Sequence, residues 1–344
     1  MGRAPSGRPT SFDIAYLAGV SQPTVSRALR GDRSVSSATR ERIQRIAAEL
    51  NYTVDKNASS LRSQRTNTIA LLFFEDGTDE NLINPFFLAM LGSITRACAN
   101  HGLDLLISFQ RMEDDWHMRY QDAKRADGLI LLGYGDYSLY SARIEQLVAQ
   151  GTHFARWGSI RSDRSGATVG SDNLGAGRLA GEHLLAMGRR RIAFLGHADE
   201  HYPEFEHRYD GLCEAMRAAG IEPDPGLQFD ALTSEDAGYR AASALLASGR
   251  PFDAIFAASD LIAIGAMRAL AGAGVNIPRG VAVVGFDNIP AASLTTPPLT
   301  TIQQDIAGAG ERLVETVLAQ IEGREPPEPR LPSRLVVRGS TQAA

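Results

Sequence analysis

The chain has 344 residues, 44% hydrophobic and 22% charged, with a formal net charge of −5 and only two cysteines. This is the composition of a globular chain with room for two or three cores; it excludes a disordered, fibrous or disulfide-framed protein. No apolar run reaches membrane-spanning length and Met1–Thr10 holds Arg, Pro and Gly with no apolar stretch, so the reading is cytoplasmic, with no membrane contact.

The small total hides an asymmetry. Residues 1–66 carry eleven Arg and Lys against five acids, a net +6, which leaves −11 for the rest. A basic head on an acidic body suits a head that meets phosphates. Cys98 and Cys213 sit far apart in helical patterns and read as packed free thiols; no metal or cofactor is expected.

In chain order, residues 1–10 read as a disordered tail and 11–53 as a small helical domain. Asp13–Leu29 has the outline of two short helices meeting at Gly19, with Ile14, Ala15 and Ala18 on one apolar stripe and Val25, Ala28 and Leu29 on the other. Ser21 caps the second helix and Pro23 stands in its first turn, where a missing N–H costs little. Gln22, Pro23, Ser26, Arg27 and Arg30 are left facing outward. Ser36 or Ser37 caps a third helix to about Leu50, and residues 54–66 read as a short helix and linker, marginal unless DNA or a partner holds them.

From Thr68 apolar runs alternate with helical segments. Strands are expected at 68–74, 103–108, 128–132, 153–157, 168–171, 191–195, 254–258 and 281–285, all buried, with helices between them. Such alternation implies parallel sheets covered on both faces, and about 270 residues exceed one sheet at usual domain sizes. The fold class is therefore α/β: an all-α helix-turn-helix head, then a two-lobed core at 67–338. The first lobe takes about 67–167 and 298–325, the second about 168–297 and 326–338. Ligands in such sheets bind at the carboxyl ends of strands, so the two lobes would share a cleft.

The chain resembles the LacI/GalR family of bacterial transcription regulators from Phe12 to Arg338. The likeness rests on Ala18-Gly19-Val20-Ser21, Thr24-Val25-Ser26-Arg27, Val35-Ser36, Asn84-Pro85-Phe86-Phe87, Ser171-Asp172-Asn173, Val283-Val284-Gly285-Phe286-Asp287 and Pro297-Pro298-Leu299-Thr300-Thr301, in family order. It implies a DNA-binding head, a hinge helix and a periplasmic-binding-protein-like core that dimerises. Arg27 then suits the O6 and N7 of a guanine and Gln22 another base edge, while Pro23 replaces a common polar reader with an apolar touch. Ser21, Thr24 and Ser26 suit phosphates, or serve only as caps. Ala58 and Leu61 fall at the hinge helix, where Leu61 resembles the wedge pushed into the minor groove, or is a plain packed leucine.

In the cleft, Arg208 and Asp287 match positions that grip a small ligand in the family, and their chemistry suits sugar hydroxyls; Arg208 beside Glu204 and Glu206 could equally form surface ion pairs. Ser259 stands where relatives often have Asn and Arg156 where several have Asp. Trp157 could stack on a sugar or pack in the core, and Phe86 and Gln304 are further lining candidates. The expected function is a repressor of carbohydrate-utilisation genes whose affinity for a near-palindromic operator is set by a sugar. A nucleobase or nucleoside effector is the alternative, and a solute-binding protein a lesser one, opposed by the basic head. No HExxH, P-loop or GxSxG motif suggests an enzyme. The tail after Arg338 lacks leucine heptads, which favours a homodimer.

Overall fold

Thr10 opens the first helix with a capping box. Its side chain accepts from Asp13 N, and the Asp13 carboxylate accepts from Thr10 N at 2.8 Å. The computed structural model describes residues 9–29, 31–52, 65–73, 83–110, 114–133, 135–160 and 166–342, and divides between Thr66 and Asn67 into two compact units. Most of the hinge stretch, with Ala58 and Leu61, lies outside the described residues.

The first unit holds α1 (Ser11–Ala18), α2 (Gln22–Leu29) and α3 (Ser37–Glu49). Gly19 ends α1 at φ +62°, a left-handed conformation in which a side chain would be strained. Ser36 caps α3 by accepting from Thr39 N at 3.3 Å. Ile14, Ala15, Ala18, Val25, Ala28, Val35, Ile43 and Ala47 form its core, so the two expected stripes pack together.

The second unit contains two six-stranded sheets. The first lobe orders its strands β11-β5-β4-β3-β1-β2, all parallel: β1 (Thr68–Phe73), β2 (Asp104–Phe109), β3 (Gly128–Leu132), β4 (Phe154–Trp157), β5 (Thr168–Ser171) and β11 (Arg330–Leu331). The second runs β12-β10-β9-β8-β6-β7: β6 (Ile192–Leu195), β7 (Gln228–Phe229), β8 (Ala254–Ala257), β9 (Ala282–Asp287), β10 (Thr300–Gln304) and β12 (Ser333–Val336), with β12 antiparallel to β10. Helices α4 (Pro85–Asn100), α5 (Tyr137–Ala149) and α10 (Ile306–Glu322) cover the first sheet. The second is covered by α6 (Asn173–Ala186), α7 (Pro203–Ala218), α8 (Glu235–Ala247) and α9 (Asp260–Gly272).

Two expectations need correction. Residues 168–171 and 330–331 belong to the first sheet and 300–304 to the second, so the chain changes lobe after β5, after β10 and after β11. The three strands concerned, Thr168–Ser171, Thr300–Gln304 and Arg330–Leu331, are short and partly polar, and nothing in so short a run says which sheet will pair with it. Nor is β2 buried throughout. It is the outermost strand, paired only with β1 among the described residues, and its Ile107 and Phe109 are exposed.

Both cysteines are buried free thiols, as their helical settings suggest, and burial pushes Cys98 up to about 11. Asp115 has a structural role. Asp115 accepts from Met118 N at 3.0 Å and from the side chains of Gln146 and Gln150 at 2.9 Å each, tying the turn at His117–Asp122 to α5.

Candidate functional site

In the head, Pro23 and Arg27 are exposed on α2, while Gln22, Thr24 and Ser26 are half-buried. The Ser21 carbonyl accepts from Thr24 N at 2.9 Å and Val25 N at 3.1 Å, and its hydroxyl meets the Thr24 hydroxyl at 2.8 Å. Ser21 thus stands at the start of the helix. Gln22 donates its side-chain amide to Ser11 Oγ at 3.2 Å, which fixes the side chain along the edge of the pair. Arg27 Nε donates to the Pro23 carbonyl at 3.4 Å, a weak contact that leaves the guanidinium on the outer face. The arrangement places an apolar ring and a cation one turn apart on the exposed face of the second helix.

In the core, five polar residues, three of them at the lobe crossovers, are linked into one buried ring that the attraction between Arg208 and Asp287 closes. Arg208 on α7 donates from Nε to Asn173 Oδ1 at 2.9 Å and also donates to the Ala258 carbonyl. Asn173, which opens α6, donates to the Ser171 carbonyl at 3.3 Å. Ser171 at the end of β5 donates from Oγ to Gln304 Oε1 at 2.6 Å, and Gln304 at the end of β10 donates to Asp287 Oδ1 at 2.7 Å. All five are at most 4% exposed, and Arg208 is fully buried, so it is no surface ion-pair former. Its guanidinium carbon lies 3.6 Å from the centre of the Phe286 ring, a cation–π contact that steadies it. Burial pushes Asp287 up to about 7, against the opposing pull of Arg208 and the Gln304 hydrogen bond.

Glycines set Arg208 in place. A Cβ on Gly177 of α6 would fall 2.1 Å from the Arg208 carbonyl oxygen, and one on Gly211 of α7 would fall 2.0 Å from that of Leu174. Only with both hydrogens can the two helices approach so closely. Asp287 is held from the other side. It sits at φ +109° with Asn288 at +53°, and the turn is anchored by Asp260, which accepts from Ile289 N at 2.8 Å and from the Thr301 hydroxyl at 2.5 Å. Burial first, and the Asp287 carboxylate second, raise Asp260 well above the ordinary carboxylate range.

The remaining sequence candidates scatter around this ring. Ser259 is fully buried and caps α9, accepting from Ile262 N at 3.3 Å. Trp157 and Phe86 are both buried, with ring centres 6.1 Å apart, and belong to the first lobe's core, the plainer of the readings given for Trp157. Arg156 on β4 is 5% exposed, donates from Nε to Thr168 Oγ1 at 2.8 Å and lies over the Tyr137 ring at 5.2 Å.

Sequence reasoning missed Asn173, Ser171 and Asp260. The run Ser171-Asp172-Asn173 carries the signal, but only as a family marker. It also missed the contacts that join the lobes. Glu204, buried on α7, accepts from Ser159 N at 2.7 Å, and the Ser159 hydroxyl meets His207 Nδ1 at 2.7 Å. Elsewhere along the seam, Tyr137 N donates to the His201 carbonyl at 2.8 Å, and the His201 ring meets Asp136 at 2.9 Å. His101, Glu311 and Glu315 bring three ligand atoms within 4.8 Å, but exposed His101 already meets Glu311 at 2.8 Å, an ordinary surface hydrogen bond.

A three-helix head with a readable second helix, followed by two parallel-sheet lobes sharing a buried polar seam, defines a ligand-responsive DNA-binding regulator. Residues 12–55 match the model of the bacterial regulatory proteins of the lacI family, and 182–341 that of the periplasmic binding protein-like domain. The HTH-type transcriptional regulator CelR of Thermobifida fusca is 32% identical over 337 residues, covering 97% of this chain and 98% of the relative. The structure of a CelR–cellobiose complex superposes with TM-score 0.71 at 31% identity, over 97% of this chain and all of that one. The lac repressor dimer bound to operator and the anti-inducer ONPF gives TM-score 0.80 at 25% identity, over 98% of this chain and all of that one. The chain belongs to the lacI family of bacterial regulatory proteins. No helix among the described residues is long and apolar enough to cross a membrane.

Proposed function

We propose that this regulator is a cytoplasmic homodimeric repressor of carbohydrate-utilisation genes, without enzymatic activity, whose hold on a near-palindromic operator is set by a small sugar or sugar derivative bound between the core lobes. The observation that carries this reading is the buried ring of Arg208, Asn173, Ser171, Gln304 and Asp287. It offers a cationic fork, a carboxylate and amides at the crossovers, the donor and acceptor mixture that a polyhydroxylated ligand needs. Gln22, Pro23 and Arg27 face bases in this reading, and Ser21, Thr24 and Ser26 face phosphates. The effector acts by binding two lobe arrangements unequally. CelR, a relative of similar length, is known as a complex with cellobiose.

The test is selection of the bound operator from random DNA with and without a panel of sugars, joined to a thermal-shift screen of the same sugars against purines. A palindromic site and a sugar that both raises the melting temperature and changes operator affinity are the expected results. Identical operator affinity with every sugar in the panel, or stabilisation by purines alone, overturns the sugar reading.

A further inference from the structure

Arg156 is a buried cation without an acid. It is 5% exposed, and among the described residues its guanidinium makes a hydrogen bond from Nε to Thr168 and lies over the face of the Tyr137 ring. Among the described residues no carboxylate pairs with it. Glu204, buried beside Gly158, is engaged by the Ser159 backbone N–H instead. Burying a guanidinium without a counter-charge is costly, and proteins keep such a group where a ligand supplies the missing anion.

Position agrees with that role. Arg156 lies on β4 toward its carboxyl end, where ligands of such sheets bind, and with Gln110, Gly133 and Trp157 it lines a small cavity of 20 Å³, about the room of one water. Tyr137, which backs its guanidinium, also bonds across to His201 of the second lobe. Arg156 therefore stands in the seam, in the opposite lobe from Arg208. With Nε spent on Thr168, the two terminal nitrogens remain, a planar fork matched to a carboxylate or a phosphate.

We propose that the effector is an anionic sugar derivative, a sugar acid or a sugar phosphate, whose negative group is received by the terminal nitrogens of Arg156. This rests on the sugar reading above and narrows it. The buried ring takes the hydroxyls, and Arg156 discriminates charged from neutral sugars.

Isothermal titration of the full-length protein with matched ligands tests it: galactose against galacturonate, glucose against gluconate, and glucose against glucose 6-phosphate, with adenosine as an outside control. At least one anionic ligand is expected to bind about 10- to 100-fold more tightly than its neutral partner, and to weaken as salt is raised. R156M should bring that ratio near one, while R156K, which keeps the charge and loses the fork, retains part of it. The uronate and phosphate arms tell which anion is meant. Binding of neutral sugars in preference to their acids, an unchanged ratio in R156M, or no binding by any anionic sugar at millimolar concentration overturns the proposal. Neutral sugars alone would leave the sugar reading standing, whereas adenosine alone would sink both. Should R156M fail to fold, the wild-type ratio and its salt dependence still decide.

Discussion

Arg27 is held on α2 by one weak contact to the Pro23 carbonyl, so little has to be broken for its guanidinium to reach a guanine edge. Replacing it with Ala should cost about 1–3 kcal/mol of operator binding and relax one position of each half-site. A binding-site panel varied base by base checks this; uniform weakening over all sequences would make Arg27 a phosphate contact. Asp287 has a different signature, because its proton is held more tightly in the folded chain than in the unfolded one. A raised carboxylate means stability is fullest when the group is protonated and falls as pH rises from the ordinary carboxylate range toward about 7. In urea titrations between about pH 5 and pH 8, D287N should flatten that fall, and an unchanged slope would place the titration elsewhere. The sequence shows Arg208 and Asp287 as a pair only through family likeness. Asn173 and Ser171 escape because a polar residue at a helix start looks like a cap until the chain is seen to cross between lobes there.

At the scale of elements, the crossing of α6 and α7 positions Arg208, and it depends on the hydrogens of Gly177 and Gly211. G211A should destabilise the core by about 1–3 kcal/mol through overpacking and also weaken effector binding, since the helix carrying Arg208 has to shift. Gly272, at the end of α9, has open space where its Cβ would be, so G272A is the control and should be neutral or stabilising by up to about 1 kcal/mol. Equal chemical-denaturation midpoints for the two variants would count against close approach. Most elements are readable because parallel strands buried on both faces leave continuous apolar runs such as Ile69–Phe73 and helices leave caps such as Ser36, whereas Gln228–Phe229, Thr300–Gln304 and Arg330–Leu331, short and partly polar, leave no such run. Sheet membership is not readable, because β5 and β10 differ in nothing that pairing needs.

Over the whole core, the lobes are held together along a seam in which His201 meets Asp136. The hydrogen bond and charge of Asp136 raise the imidazole above its ordinary value; burial pushes Asp136 up, but the hydrogen bonds from Ser138 and His201 outweigh it and bring its carboxyl lower. A raised histidine contributes fully below its unfolded pKa and loses its contribution as pH rises through the folded value. Lobe separation, followed by energy transfer between labels on the two lobes, should therefore widen as pH rises through neutrality, and H201A should remove that dependence. A pH response unchanged in H201A would assign it to another group.

The three crossovers carry a further consequence. Two of the strands that end at them finish in Ser171 and Gln304, members of the polar ring, so if that ring grips the effector as proposed, the joints between the lobes and the grip share the same residues. Occupancy and lobe angle are then a single mechanical coordinate, and no relay through the protein interior is needed to connect them. A ligand that fits the ring imperfectly would set an intermediate angle, giving partial derepression at saturation. Amide exchange should slow first at the three joints, near residues 172, 305 and 332, in proportion to how fully each ligand closes the ring.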